Sequence, residues 1–145
     1  MFVDVSGGDS ILLIDGSSER IVRCAKELVR RAQDFQENPM RMRFGGAAGP
    51  IAFERMRRMH NGSWDTITVP MGLALRTTAL LEPLAPPNSV VVDEKFHQFG
   101  GGLMVPLSQS DLPGIDYDRD EQRFVLRKNS LDSPYYTKLW KIDLG

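Results

Sequence analysis

Asp9, in the segment Ser6-Gly7-Gly8-Asp9-Ser10, is the first candidate for a functional side chain. A carboxylate at a turn can bind a metal ion or lie beside a phosphate. It can equally stabilise the turn by accepting hydrogen bonds from the backbone. Both interpretations stay open for Asp9. Ser6, Ser10 and Cys24 have no histidine partner in a recognisable nucleophile motif, and Cys24 is expected to be a small residue at the edge of the core.

A group of arginines between residues 41 and 58 could contact phosphate or RNA. Glu54 is the acidic residue within this stretch. A solvated strand face followed by a solvated helix face would produce the same pattern. The stretch does not show the regular interleaving of aromatic with basic residues that single-strand binding uses, so nucleic acid is not the expected partner. The arginines are Arg41, Arg43, Arg55, Arg57 and Arg58.

The remaining polar motifs favour structural roles. His60 and His97 have no cysteine or carboxylate at zinc-binding spacing, and both are expected on the surface. Residues 100–102 are three glycines, but the Lys-Ser/Thr of a phosphate-binding P-loop does not follow them. Four methionines could either fill the core or line a groove for a partner. They are Met40, Met42, Met56 and Met59.

The composition is typical of one globular domain spanning residues 1–145. The chain is 41% hydrophobic and has a net charge of -1, which does not favour anionic membranes or nucleic acid. A single cysteine fits a reducing compartment. Apolar runs such as residues 11–14 are too short to cross a bilayer, and no basic stretch precedes a long apolar one. The expected location is therefore the cytoplasm.

The first elements predicted around Asp9 are a hairpin and a helix. Two apolar runs, residues 2–5 and 11–14, flank the glycine-rich turn and predict the hairpin. The helix follows, capped by Ser17 or Ser18 and ended by Asn38-Pro39. Three- and four-residue spacing predicts that its inward face carries Ile21, Ala25, Leu28, Ala32 and Phe35.

The rest of the chain mixes strands, turns and helices. Alternation over residues 40–44 predicts a strand, and residues 45–50 predict a turn or a close approach of two backbones. The other predicted elements are a short helix over 51–60, a turn at Asn61-Gly62, a strand over 65–69, a helix over 73–84, a strand over 89–93, a loop over 100–120 and an antiparallel pair over 123–127 and 136–144. Hairpins beside helices favour an α+β fold over a doubly wound parallel sheet.

Three segments carry patterns that occur together in a known family. Residues 8–13 are a Gly-Asp pair followed by an apolar strand, and residues 40–50 are a strand followed by glycines. Residues 72–92 are a helix, a Leu-Ala-Pro-Pro turn and a strand, which is the most specific of the three patterns. In this order they resemble the class III nucleotidyl cyclase homology domain, over roughly residues 2–95. The Gly-Gly-Asp turn by itself equally resembles diguanylate cyclases and CRISPR polymerase palms, which share the palm-like sheet.

The resemblance implies a ferredoxin-like or palm-like fold. Its sheet would be mainly antiparallel, with helices on one face. The family's first strand, which is central in its sheet, would be missing, because the matched region begins at the second strand. We therefore expect a further polypeptide, a longer chain or a rearranged sheet to replace it.

The resemblance also implies which residues could bind a nucleotide. Family members hold two divalent metals on two carboxylates, and Asp9 matches the second of these, next to Gly8, so Mg²⁺ or Mn²⁺ would bind there. Asp4 lies at the wrong spacing to be the first. The ribose-binding Asn position is Arg76, a candidate nucleotide contact, unless Arg76 is the catalytic Arg displaced by one helical turn.

The other matched positions have become aliphatic. Leu80 stands at the position of the Arg that stabilises the transition state, and Val5 and Val69 stand at the two base-reading positions. None of these side chains can donate a hydrogen bond. The resemblance therefore implies a domain without catalytic residues.

A catalytically degenerate cyclase-like domain would serve nucleotide sensing or protein–protein regulation in signal transduction. The alternative is an active nucleotide cyclase completed by another chain or by an N-terminal segment. Cyclases of this family are dimers with sites at the interface. We therefore expect a homodimer, or a heterodimer with a cyclase-like chain, and a nucleotide as the ligand.

Overall fold

The computed structural model describes residues 1–6, 9–34, 37 and 40–145. The fold is mixed α+β, with three helices and mostly antiparallel strands. The helices are α1 (Ser18–Gln33), α2 (Leu73–Leu81) and α3 (Glu94–Phe99). The strands are β1 (Phe2–Ser6), β2 (Ser10–Ile14), β3 (Arg43–Gly46), β4 (Ala52–His60), β5 (Ser63–Met71), β6 (Ser89–Val92), β7 (Val105–Pro106), β8 (Tyr117–Asp118), β9 (Arg123–Leu126), β10 (Tyr135–Thr137) and β11 (Trp140–Asp143). In these residues no helix is both long and apolar enough to cross a membrane.

The central sheet has the order β3-β6-β11-β7 and lies between two hydrophobic cores. β3 and β6 are parallel, whereas β11 is antiparallel to both of its neighbours. Val90 and Val92 pack with α1, and Val91 packs with Leu81 of α2. Because adjacent residues of a strand point to opposite faces, the two helices cover opposite faces of the sheet. The expectation of helices on one face was therefore wrong.

Helix α1 begins where the sequence predicts, but its buried face is displaced. The Ser17 hydroxyl accepts a hydrogen bond from the backbone N–H of Arg20 at 3.3 Å, which caps the first turn. Ala25 and Ala32 are buried as expected. Val22 and Val29 are buried, in place of Ile21 and Leu28, which are half-buried. The valines face the sheet, and the larger residues lie beside them at the edge of the contact. Phe35, the last residue predicted on this face, lies outside the described residues.

The region expected to be a short helix is a long hairpin. Residues 51–60 are predominantly strand β4, which pairs along its whole length with β5. Asn61 and Gly62 have φ values of 48° and 79°, as a two-residue turn with both central residues at positive φ requires. The apolar residues Phe53, Met56 and Met59 recur every third position, which suits a helix, but the cross-strand hydrogen bonds to β5 outweigh this local preference.

The C-terminal segment divides between two sheets. We predicted that residues 123–127 and 136–144 form one antiparallel pair. Strand β10 does pair with β9, but β11 joins β6 and β7 in the central sheet. Leu139 stands between the two strands and is 1% exposed in the second core. Its burial redirects the chain from one sheet to the other. Two short strands, β7 and β8, occur within the segment predicted as a loop.

Candidate functional site

A cleft of about 520 Å³ lies beside α2 and contains two of the residues that the sequence singled out. Arg76 and Leu80 both line it, from successive turns of α2. Opposite them are Lys95, at the start of α3, and Tyr135, on β10. We call this the Arg76 cleft.

The charges in the Arg76 cleft balance. The Arg76 guanidinium lies 3.5 Å from the Asp132 carboxylate, and Lys95 is exposed at the rim. Asp93, which also lines the cleft, is 1% exposed. With two cations and two carboxylates around it, the cleft has no strong preference for an anion. Leu80 contributes only an apolar wall.

Asp93 is held by two hydrogen bonds that account for both of its oxygens. Oδ1 accepts from the backbone N–H of Phe96 at 2.9 Å, so Asp93 caps α3. Oδ2 accepts from the Tyr135 hydroxyl at 2.7 Å. Burial raises the pKa of Tyr135 above its usual range, and the hydrogen bond to Asp93 and the carboxylate's charge act in the same direction. The pair is a stabilising contact, and Tyr135 keeps its proton at neutral pH.

A second cavity separates β2 from the end of β3. It measures about 630 Å³ and is lined by Leu12, Leu13 and Ile14 of β2, by residues 47–51 and by Phe99. We call it the β2 groove. Among the described residues, β2 pairs only with β1, and β3 pairs only with β6. The groove is thus bordered by β2, which has an open edge among the described residues, and by the segment that follows β3.

The structure does not bring Asp9 together with the other candidates. Asp9 is exposed at the end of the β1–β2 hairpin and lines neither the Arg76 cleft nor the β2 groove. Val5 is exposed on β1, and Val69 lies on the separate β4–β5 hairpin. Gly8 lies outside the described residues. Within the described ranges, no group of three or more His, Cys, Asp or Glu side chains is arranged to hold a metal ion.

The β4–β5 hairpin carries a surface that sequence reasoning missed. Its register sets Trp64 directly opposite Met59, and the Arg57 guanidinium carbon lies 5.0 Å from the centre of the Trp64 ring. An aromatic residue therefore does stand among the arginines. It was overlooked because residues 51–60 were expected to be helical. The signal was present in Asn61-Gly62, whose hairpin turn folds residues 63–71 back onto the arginines.

Several of the remaining candidate residues contact other parts of the fold. Arg43 lies 3.4 Å from Glu82, and His97 stacks on Trp140 with ring centres 3.8 Å apart. Met42 is partly buried against the first core, whereas Met56 and Met59 are exposed on the hairpin. Comparison with known proteins adds no identity, since no family model, curated protein or solved structure matches this chain.

Proposed function

We propose that this chain is a catalytically degenerate, cyclase-like domain that works by associating with a second chain. The support for degeneracy is the distribution of the candidate residues. Leu80 presents a hydrocarbon surface where the resemblance calls for an arginine, and Asp9 stands apart from that surface. A cyclase reaction needs metal ions, a phosphate-stabilising cation and a ribose contact in one place.

The competing hypothesis is an active nucleotide cyclase that uses Asp9 for metal binding. Purified protein with Mn²⁺ and ATP or GTP is expected to release pyrophosphate no faster than Asp9→Ala, because among the described residues no group of three or more His, Cys, Asp or Glu side chains is arranged to hold a metal ion. Pyrophosphate release by the wild type that Asp9→Ala abolishes would establish the enzyme instead. A nucleotide that binds the Arg76 cleft without turnover would leave the sensing role in place.

The β2 groove supports the proposal that this chain associates with a second chain. Unpaired N–H and C=O groups on a strand edge recruit another strand, and soluble proteins usually cover or block such edges. Here β2, which has an open edge among the described residues, borders a mainly apolar groove of about 630 Å³. The loss of a central strand, which the resemblance implies, would leave such a gap. An extended apolar strand from another polypeptide would pair with the edge of β2 and fill the groove. The simplest donor is a second copy of the chain.

Association through β2 is tested by placing a charge on the open strand. The wild type is expected to form a dimer in light scattering after gel filtration. Leu13→Lys should be monomeric, because an ammonium group in the apolar groove opposes a docked strand. Val3→Lys is the matched control. Val3 is the cross-strand partner of Leu13, lies on β1 outside the lining of the β2 groove and is 53% exposed.

The control variant should remain dimeric, with an unchanged circular dichroism spectrum in both variants. A wild type that stays monomeric at high concentration contradicts association with a second copy. Equal dissociation by Val3→Lys and Leu13→Lys would show that the contact does not depend on the β2 groove.

A further inference from the structure

One face of the β4–β5 hairpin is basic and exposed along most of its length. Because side chains alternate, Arg55, Arg57 and Met59 share this face with Trp64, Thr66 and Thr68 across the ladder. We call these six residues the basic face. All six are exposed, and Trp64 and Met59 are 60% and 57% exposed. Near the base of the hairpin the same face contacts β1, since the rings of Phe53 and Phe2 lie 5.4 Å apart.

The two faces of the hairpin differ in charge. The basic face has two arginines and no carboxylate, and neither arginine forms an ion pair with any described residue. The hairpin's acidic residues, Glu54 and Asp65, are on the opposite face. There Arg58 lies 3.8 Å from Asp65. Although the whole chain has a net charge of -1, the basic face presents uncompensated positive charge.

The basic face combines cations with a stacking surface. The Arg57 guanidinium carbon lies 5.0 Å from the centre of the Trp64 ring, so a cation adjoins an aromatic side chain that remains 60% exposed. Arg55 lies two residues before Arg57, about 7 Å away along the same strand. The hydroxyl groups of Thr66 and Thr68 stand beside the arginines across the ladder and can donate to phosphate oxygens.

We propose that the basic face binds single-stranded nucleic acid. Arg55 and Arg57 would contact phosphates, and a base would stack on Trp64. An acidic peptide would engage the arginines but would leave an exposed indole without a matching flat partner. A duplex keeps its bases stacked inside, so Trp64 could not receive one. The proposal is independent of association through the β2 groove, which uses other residues.

Binding is measured with the full chain and a fluorescently labelled oligothymidylate or oligouridylate of about 12 nucleotides. Anisotropy is recorded at salt concentrations between about 50 and 200 mM. Trp64→Ala is expected to weaken binding about tenfold, within the range that the loss of one stacked base produces. The double variant Arg55→Ala, Arg57→Ala should bind at least tenfold more weakly, and its salt dependence should fall by about 1.4 in logarithmic slope.

Arg58→Ala is the matched control, because Arg58 lies on the same strand but on the opposite face. It should change the affinity less than twofold, and thermal melting should show all variants folded. Failure of the wild type to bind either oligonucleotide at about 50 mM salt would overturn the proposal. So would an equal loss on Arg58→Ala. Tighter binding of a polyglutamate peptide of matched length would instead assign the face to an acidic protein partner.

Discussion

Replacing Gly45 with alanine is expected to destabilise the fold by about 3 kcal/mol or more, which is near the upper end of overpacking effects. Gly45 lies in β3, where the central sheet meets α2. A Cβ placed there would collide with the backbone carbonyl oxygen of Thr78 and would lie 2.6 Å from the backbone nitrogen of Glu82. Backbone atoms within a helix cannot move aside as a flexible side chain can, so the helix and strand would have to separate.

Chemical denaturation measures this loss as a lower midpoint with an unchanged slope. Gly114→Ala is the control, because a Cβ at Gly114 meets no atom within 4 Å. It should change the free energy of unfolding by less than about 0.5 kcal/mol. If Gly45→Ala were as stable as Gly114→Ala, the close approach of β3 and α2 would be disproved.

The second large effect is expected at Asp93. Asp93→Ala should lower the free energy of unfolding by about 3 kcal/mol, because it removes the cap of α3 and a buried charge-assisted hydrogen bond together. Asp93→Asn should retain much of the stability, since its amide oxygen can still cap the helix. Tyr135→Phe should cost about 1–3 kcal/mol, because it leaves one oxygen of a carboxylate that is 1% exposed without its partner.

The pH dependence of the free energy of unfolding distinguishes the Tyr135–Asp93 hydrogen bond from simple packing. The pKa of Tyr135 is raised in the folded protein, mainly by burial and then by Asp93. The unfolded chain therefore loses that proton first. The stability contributed by this group is complete below the unfolded pKa of about 10 and is lost as pH rises above it. Tyr135→Phe should lack this component. If the free energies of unfolding of the wild type and Tyr135→Phe changed in parallel above about pH 10, this contribution of Tyr135 would be disproved.

Elements held by contacts between near neighbours in sequence could be predicted. The β1–β2 hairpin, the Ser17 cap of α1, the Asn61-Gly62 turn and the helix that begins after Gly72 all form where local patterns indicate. Residues 51–60 were the main failure among the local elements, because the partner that makes them a strand lies beyond the turn. The close approach at Gly45 was predicted as one of two alternatives, but the helix that approaches it was not.

The sequence identified candidate site residues, but only the structure showed which of them lie close together. Arg76 and Leu80 share a cleft because they lie one helical turn apart on α2. Asp9 does not join them, because its hairpin forms a separate sheet. Tyr135 and Asp93, 42 residues apart in the chain, were not recognised as a pair, since no local pattern links a buried cap to a distant tyrosine.

By itself, the sequence determined the mixed α+β character, most of the local elements and the aliphatic nature of Leu80 and Val69, because these depend on residue type and short-range spacing. Only the tertiary structure decided that β11 joins the central sheet, that α1 and α2 cover opposite faces and that Trp64 stands over Arg57. Each of these depends on contacts between segments that are separated in the chain. The free energy of such contacts comes from burying apolar surface and pairing strand edges, which local propensity does not encode.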